Sequence, residues 1–314
     1  MSTARDLLQS SRGNAYTIEH ERAGGGMSHV FVARDLALGR TVVVKVLPPE
    51  LAASVSLERF KREITLAARL QHPHIVPLLS AGDAGGLPWF SMPLVEGESL
   101  RAHLAHATPS LHDTLEILRG VALALEYAHA RDVVHRDIKP ENILLTGRIA
   151  VVMDFGIARA ITAASDVRDS AALTALGTIV GTPAYMAPEQ AAGEAAGPAA
   201  DIYAWGLVAY EMLAGAHPFA SRTTAQTLLA AQIAETPAPL GGQRRDLPRP
   251  LTALVDQCLA KDPALRPAGT SAILAQLLTL APAAPARGVR RAPLIWTATL
   301  LVALLAGSLA LAWR

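Results

Sequence analysis

The stretch 142–154 constrains this chain more than any other. Ile143-Leu144-Leu145 and Ile149-Ala150-Val151-Val152-Met153 are short apolar runs on either side of the turn Thr146-Gly147-Arg148, a pattern that predicts a β-hairpin. Asn142 precedes the first strand and Asp154 follows the second, almost symmetrically about Arg148, so antiparallel pairing brings both to the open end of the hairpin. There they present hard oxygen ligands of the kind Mg²⁺ takes. The preceding loop, His135-Arg136-Asp137-Ile138-Lys139-Pro140-Glu141, delivers Asp137 to the same place, and Phe155-Gly156 follows Asp154.

A cation completes the set. Of 28 basic residues only Lys45, Lys61, Lys139 and Lys261 are lysines, so a chain that otherwise writes Arg keeps a compact ammonium at these positions. In the strand 41–47, alternation sets Lys45 on the face of Val43 and Leu47, an unfavourable place for a lone charge. The helix that follows the N-cap candidate Ser56 carries an apolar stripe Phe60, Ile64, Ala67, and Glu63 falls on that stripe. An inward cation and an inward carboxylate can neutralise each other, and taken alone they fit a structural ion pair as well as a catalytic one. One carboxylate to orient a hydroxyl, two oxygen ligands for a metal and an ammonium for phosphate oxygens together describe a phosphoryl-transfer site.

The pattern along the chain predicts an α+β architecture in two lobes. Residues 16–94 read as strands interrupted by one helix at 57–70, and residues 99–280 read as helices such as 114–130, 202–214 and 251–259. Residues 1–15 lack an apolar segment and read as an N-terminal tail without a signal peptide, which leaves this end in the cytoplasm. The stretch 281–291 is a Pro/Ala/Arg linker. Residues 293–313 carry no charge, long enough at about 1.5 Å per residue to span a hydrocarbon core of roughly 30 Å. Arg287, Arg290 and Arg291 precede that run and only Arg314 follows, so a single transmembrane helix at 292–313 is expected, with the preceding domain on the cytoplasmic side of the cell membrane. A net charge of +1 gives no reason to expect a nucleic-acid partner. The lone Cys258 excludes a disulfide scaffold and, within the apolar run 254–259, reads as a buried small hydrophobe. His103 and His106 lie at i, i+3 on a predicted helix, but nothing near them in sequence completes a metal site, so they read as solvated surface.

VVVKV, HRDIKPEN, DFG and GTPAYMAPE stand in this order, and through them residues 16–280 resemble the eukaryotic-type (Hanks-type) serine/threonine protein kinases of the membrane-anchored bacterial kind. The resemblance implies the two-lobed protein-kinase fold, with an N-lobe at 16–94 and a C-lobe at 95–280. It also implies ATP with Mg²⁺ (or Mn²⁺) as cofactors and proteins as substrates. By the same resemblance Lys45 pairs the α- and β-phosphates and Glu63, Asp137 is the catalytic base and Lys139 steadies the γ-phosphate. Asn142 and Asp154 hold the metal. Gly24, Gly25, Gly26 and Val30 form the loop over the nucleotide, Met92 guards the back of the adenine pocket, and the hinge offers the Pro93 carbonyl and the Val95 N–H. Ala23 and Ser28 depart from the family's glycines in that loop. Glu189 is expected to partner Arg266, Asp201 to brace the catalytic loop and Thr182 to line the acceptor site. Arg136, beside Asp137, implies activation by phosphate on the loop at Thr174 or Thr178, placed there by a second copy in a homodimer. Two other readings are a scaffold that binds without transferring phosphate and a small-molecule phosphotransferase. The lysine and both aspartates whose loss marks the first are present, and the second gives no reason for the long segment 157–189.

Overall fold

The computed structural model describes residues 4–12, 15–22, 28–53, 56–157, 161 and 183–280. The small lobe is built on strands β1 (Tyr16–Arg22), β2 (His29–Asp35), β3 (Arg40–Val46), β4 (Ser80–Ala84) and β5 (Leu87–Pro93). They form an antiparallel sheet in the order β1-β2-β3-β5-β4. The valine run of β3 is explained by burial on both faces. Val42, Val44 and Val46 pack with Phe31 and Trp89 on one side. Val43 and Leu47 face Phe90, Met92 and the stripe Phe60 and Ile64 of the helix Leu57–Ala67 on the other.

The N-terminal stretch differs from its reading as a tail. Ala4–Arg12 is a helix, α1, and its Leu8 is fully buried against Ile18, Phe31 and Val44. Gln9 ties it to β1 by donating to the Tyr16 carbonyl at 3.2 Å and accepting from the Ile18 N–H at 3.1 Å. Leu7 and Leu8 are too few to show a period; the sheet supplies the apolar surface that makes this short helix worthwhile. Two more helices complete the lobe, α2 (Pro49–Ala52) and α3 (Leu57–Ala67).

The large lobe begins with the short strand β6 (Glu98–Ser99) and helices α4 (Leu100–His106) and α5 (Leu111–His129). The predicted hairpin follows as β7 (Ile143–Thr146) and β8 (Ile149–Val152), with Ile143 opposite Val152 and β6 on the outer edge of β7. Val152 also donates to the His74 carbonyl at 2.8 Å and accepts from the Val76 N–H at 2.9 Å, which ties the hairpin to the segment entering β4. Helices α6 (Pro188–Ala191), α7 (Pro198–Ala214), α8 (Ala225–Ala234), α9 (Leu240–Gln243), α10 (Arg249–Cys258) and α11 (Thr270–Leu280) complete it. The hydrophobic circumference of α7 has no polar face because almost all of it is buried; Trp205 packs inward and donates to the Leu118 carbonyl of α5 at 3.0 Å. Cys258 is buried and burial pushes its thiol pKa up, as a structural cysteine requires. Among the described residues no helix is long and apolar enough to cross a membrane. The expected membrane helix at 292–313 lies outside them, as do the linker 281–291 and the loop residues Gly24, Gly25 and Gly26.

Candidate active site

The hairpin does what its symmetry predicts. Met153 donates to the Asn142 carbonyl at 3.0 Å, extending the ladder one step past the strands, so Asn142 and Asp154 leave the same end side by side. Asn142 turns its amide toward the catalytic-loop candidate: Nδ2 donates to the Asp137 carbonyl at 2.8 Å and to Asp137 Oδ2 at 2.9 Å. Lys139 Nζ reaches the same Oδ2 at 2.8 Å. Asp137 is therefore held from two sides. With its N–H₂ group so engaged, Asn142 has its amide oxygen left for a cation.

The ammonium of Lys45 meets a different carboxylate from the one on α3. Its Nζ donates to Asp154 Oδ2 at 2.5 Å, while Glu63 stands half-buried on α3. Both Lys45 and Asp154 are largely shielded from water, so opposite charges close to contact. Register places Val30 and Phe90 directly across from Lys45 on its two neighbouring strands, and Met92 across from Val43. The cleft face of the sheet thus presents Val30, Val43, Lys45 and Met92 together. Val95 packs at the rim of the same apolar cluster. Pro93 ends β5 opposite Val42, and the Leu94 N–H points to the Thr41 carbonyl at 3.5 Å.

Asp154 Oδ1 is buried and has no hydrogen-bond donor among the described residues. A buried anionic oxygen in that condition is what a metal ion satisfies. Together with the Asn142 amide oxygen it fits the expected Mg²⁺ pair. Asp154 also adopts φ 67°, a left-handed conformation that a non-glycine residue holds only when its surroundings over-determine it. Gly156 follows at φ +73°, and a Cβ there would lie 2.9 Å from the Ala67 Cβ, so α3 approaches this segment as closely as glycine permits.

Asp201, fully buried in the first turn of α7, organises the loop that carries Asp137. Its Oδ1 accepts from the Arg136 N–H at 2.7 Å, and its Oδ2 accepts from the His135 N–H and from His129 Nε2, each at 2.8 Å. Burial works against its charge, yet the bonds from His129 and the loop outweigh burial and hold the carboxyl below the usual range. The bend this imposes puts Arg136 at φ 66°, and the Arg136 carbonyl is caught by Gln190 Nε2 at 2.9 Å. His135 is fully buried: its Nδ1 accepts from the Asp137 N–H at 3.2 Å, so Nε2 carries the proton given to the Met153 carbonyl at 2.8 Å. It braces the loop against the hairpin.

Glu189 and Arg266 form the expected pair, with contacts of 2.7 and 2.8 Å in a buried bidentate arrangement. Arg266 also donates to the carbonyls of Ala199, Ala260 and Lys261, which uses every guanidinium N–H. Thr174, Thr178 and Thr182 lie outside the described residues.

Several participants had no local signature in the sequence. Arg101 on α4 pairs with Glu141 at 2.8 Å and Glu211 at 2.7 Å and donates to the Tyr185 hydroxyl, joining the loop after Asp137 to α7 and the turn at 183–185. Lys261 donates to the Tyr203 hydroxyl at 2.9 Å and the Gln232 carbonyl at 2.7 Å, and burial, with Arg266 nearby, lowers its pKa to about 8. The scarcity of lysine was the one sequence signal that pointed to it. Gln190 and His129 had none.

Comparison with known proteins agrees with this geometry. Residues 16–278 match the protein kinase domain family. The chain is 40% identical over 260 residues to the serine/threonine-protein kinase PknA of Mycobacterium tuberculosis, covering 80% of this chain and 58% of that protein. It is 39% identical over 247 residues to PknB of Mycobacterium leprae, covering 76% of this chain and 38% of that one. The chain thus spans little more than half the length of the first relative and less of the second. The crystal structure of the PknI kinase domain of Mycobacterium tuberculosis superposes with a TM-score of 0.66 at 30% identity, covering 84% of this chain and 96% of that domain. The chain belongs to the protein kinase family, among the bacterial serine/threonine kinases.

Proposed function

We propose that this protein transfers the γ-phosphate of ATP to serine and threonine hydroxyls of other proteins. The observation that carries this is the junction at the hairpin's open end, where Asp137, Asn142 and Lys139 are joined by hydrogen bonds and Asp154 is joined to Lys45. Asp137 accepts the proton of the acceptor hydroxyl as its oxygen forms a bond to the γ-phosphorus and the bond to the ADP oxygen breaks. Lys139, already on Asp137, steadies the γ-phosphate oxygens, and Lys45 serves the α- and β-phosphates. Magnesium, when bound by Asn142 and Asp154, neutralises charge on the phosphates. Gly24, Gly25, Gly26 and Val30 cover the nucleotide, Met92 and Val95 flank its base, and Thr182 lines the acceptor site. Incubation of the full-length chain with labelled ATP and a generic protein substrate is expected to yield phosphoserine and phosphothreonine. Mainly phosphotyrosine, or no transfer to protein at all, would overturn this reading.

Regulation follows from Arg136. A guanidinium beside the base is well matched to a phosphothreonine, which supplies close to two negative charges. Thr174 and Thr178 have small neighbours and are the proposed acceptors, phosphorylated by a second copy of the chain. Mass spectrometry after incubation with ATP should find phosphate on one or both. Wild-type activity in a Thr174→Ala/Thr178→Ala variant would exclude the mechanism.

The uncharged run at 293–313 supports a single-pass anchor in the cell membrane's lipid, with the kinase domain in the cytoplasm. A chain ended at Arg287 should leave the membrane fraction and keep its activity. Persistence in the pellet after a high-salt wash would contradict the anchor.

A further inference from the structure

The junction between β6 and α4 gathers three ligand groups that are scattered in sequence reading. Glu98 is fixed on β6 opposite Leu145 of the hairpin, and α4 starts two residues later with Ser99 as its cap, the hydroxyl accepting from the Ala102 N–H at 3.2 Å. His103 and His106, one helical turn apart, then project from the same face. Their rings meet edge to face, 5.4 Å between centroids. From the strand, the Glu98 carboxylate bridges both rings: Oε1 is 2.9 Å from His103 Nδ1 and Oε2 is 2.9 Å from His106 Nε2. One ligand atom from each residue lies within 4.8 Å of the others. The strand thus supplies, in Glu98, a partner that the helix spacing of the two histidines did not reveal.

We propose that Glu98, His103 and His106 form a binding site for a divalent transition metal ion, Zn²⁺ in particular, separate from the magnesium pair at the hairpin end. Two imidazoles and one carboxylate suit Zn²⁺, whereas Mg²⁺ prefers an all-oxygen shell and keeps its waters. Zinc–ligand bonds of about 2.0–2.2 Å require donor atoms to sit only slightly farther apart than the hydrogen bonds now joining them. His106 is 60% exposed, which leaves a coordination position for water. The ion would pin the strand after the hinge to the C-terminal end of α4.

The test is a calorimetric titration of the full-length chain with zinc chloride alone in millimolar Mg²⁺, beside a Co²⁺ titration followed in the visible spectrum. About one equivalent of Zn²⁺ should bind at this site, and Co²⁺ should give the intense bands of tetrahedral coordination. A His103→Ala/His106→Ala variant should lose those bands and weaken Zn²⁺ binding by at least about 100-fold, since loss of a neighbour that merely supports a ligand already reaches that range. Glu98→Gln should also weaken it, whereas His72→Gln, in the His72–His74 ring pair (5.6 Å between centroids) that follows α3, should leave it unchanged. The proposal fails if the wild-type chain binds no Zn²⁺, if Mg²⁺ displaces it, if the His103/His106 variant binds as the wild type does, or if His72→Gln abolishes binding. None of these readouts depends on kinase activity.

Discussion

Replacing Asp137 with Asn is expected to lower kcat by about 10²–10⁴-fold, the usual contribution of a positioned general base, with little change in the apparent affinity for ATP. The substitution keeps the volume of the side chain but removes the basic oxygen that now accepts from Asn142 Nδ2 at 2.9 Å and Lys139 Nζ at 2.8 Å. An amide in that position can also turn its own N–H₂ toward an ammonium and another amide donor, which disfavours the productive arrangement. Steady-state phosphorylation of a protein substrate over a range of ATP concentrations separates the two parameters. A variant that turns over at the wild-type rate would move the role of base away from Asp137. A variant whose loss lies in KM for ATP would assign this side chain to nucleotide binding.

The second large effect is on stability. Arg266→Leu is expected to destabilise the folded chain by about 3–5 kcal/mol, because it leaves the buried Glu189 carboxylate without its counter-charge. The carbonyls of Ala199, Ala260 and Lys261 lose a donor in the same step. Removing both charges in an Arg266→Leu/Glu189→Leu variant should restore part of the loss, but not all of it, since those carbonyls stay unserved. Denaturant unfolding of the full-length wild type, both single variants and the double variant gives the coupling energy. Purely additive effects would mean that the ion pair contributes nothing beyond its separate halves. Activity should fall with stability here, because Gln190 follows Glu189 on α6 and holds the strained Arg136 carbonyl.

Lys45 shows how far local patterning reaches. Alternation along β3 put it on the inward face, and the structure buries it there with Val30 and Phe90 across from it. Alternation could not choose its partner. The helix stripe offered Glu63, and the structure joins Lys45 to Asp154, 109 residues away. Helix α1 makes the complementary point: its apolar residues are too few to display a period, and only the sheet beneath Leu8 accounts for its folding.

The sequence by itself determined the small sheet lobe and the helical lobe, the hairpin that presents Asn142 and Asp154, and the stretch containing Asp137. Each is written in neighbours: an apolar alternation, a two-strand run about a glycine turn, a helix stripe. Tertiary structure alone decided which backbone N–H groups the brace expected at Asp201 holds, that Arg101 links Glu141 to Glu211, and that Glu98 closes on His103 and His106. The first two rest on polar contacts between residues 40 to 110 positions apart. The third needs a strand to turn into a helix at one fixed angle. Periodicity records which face of an element is buried, because burial repeats with the element's own geometry. A single hydrogen bond between two elements repeats nowhere, and it comes into being only when packing has set their separation.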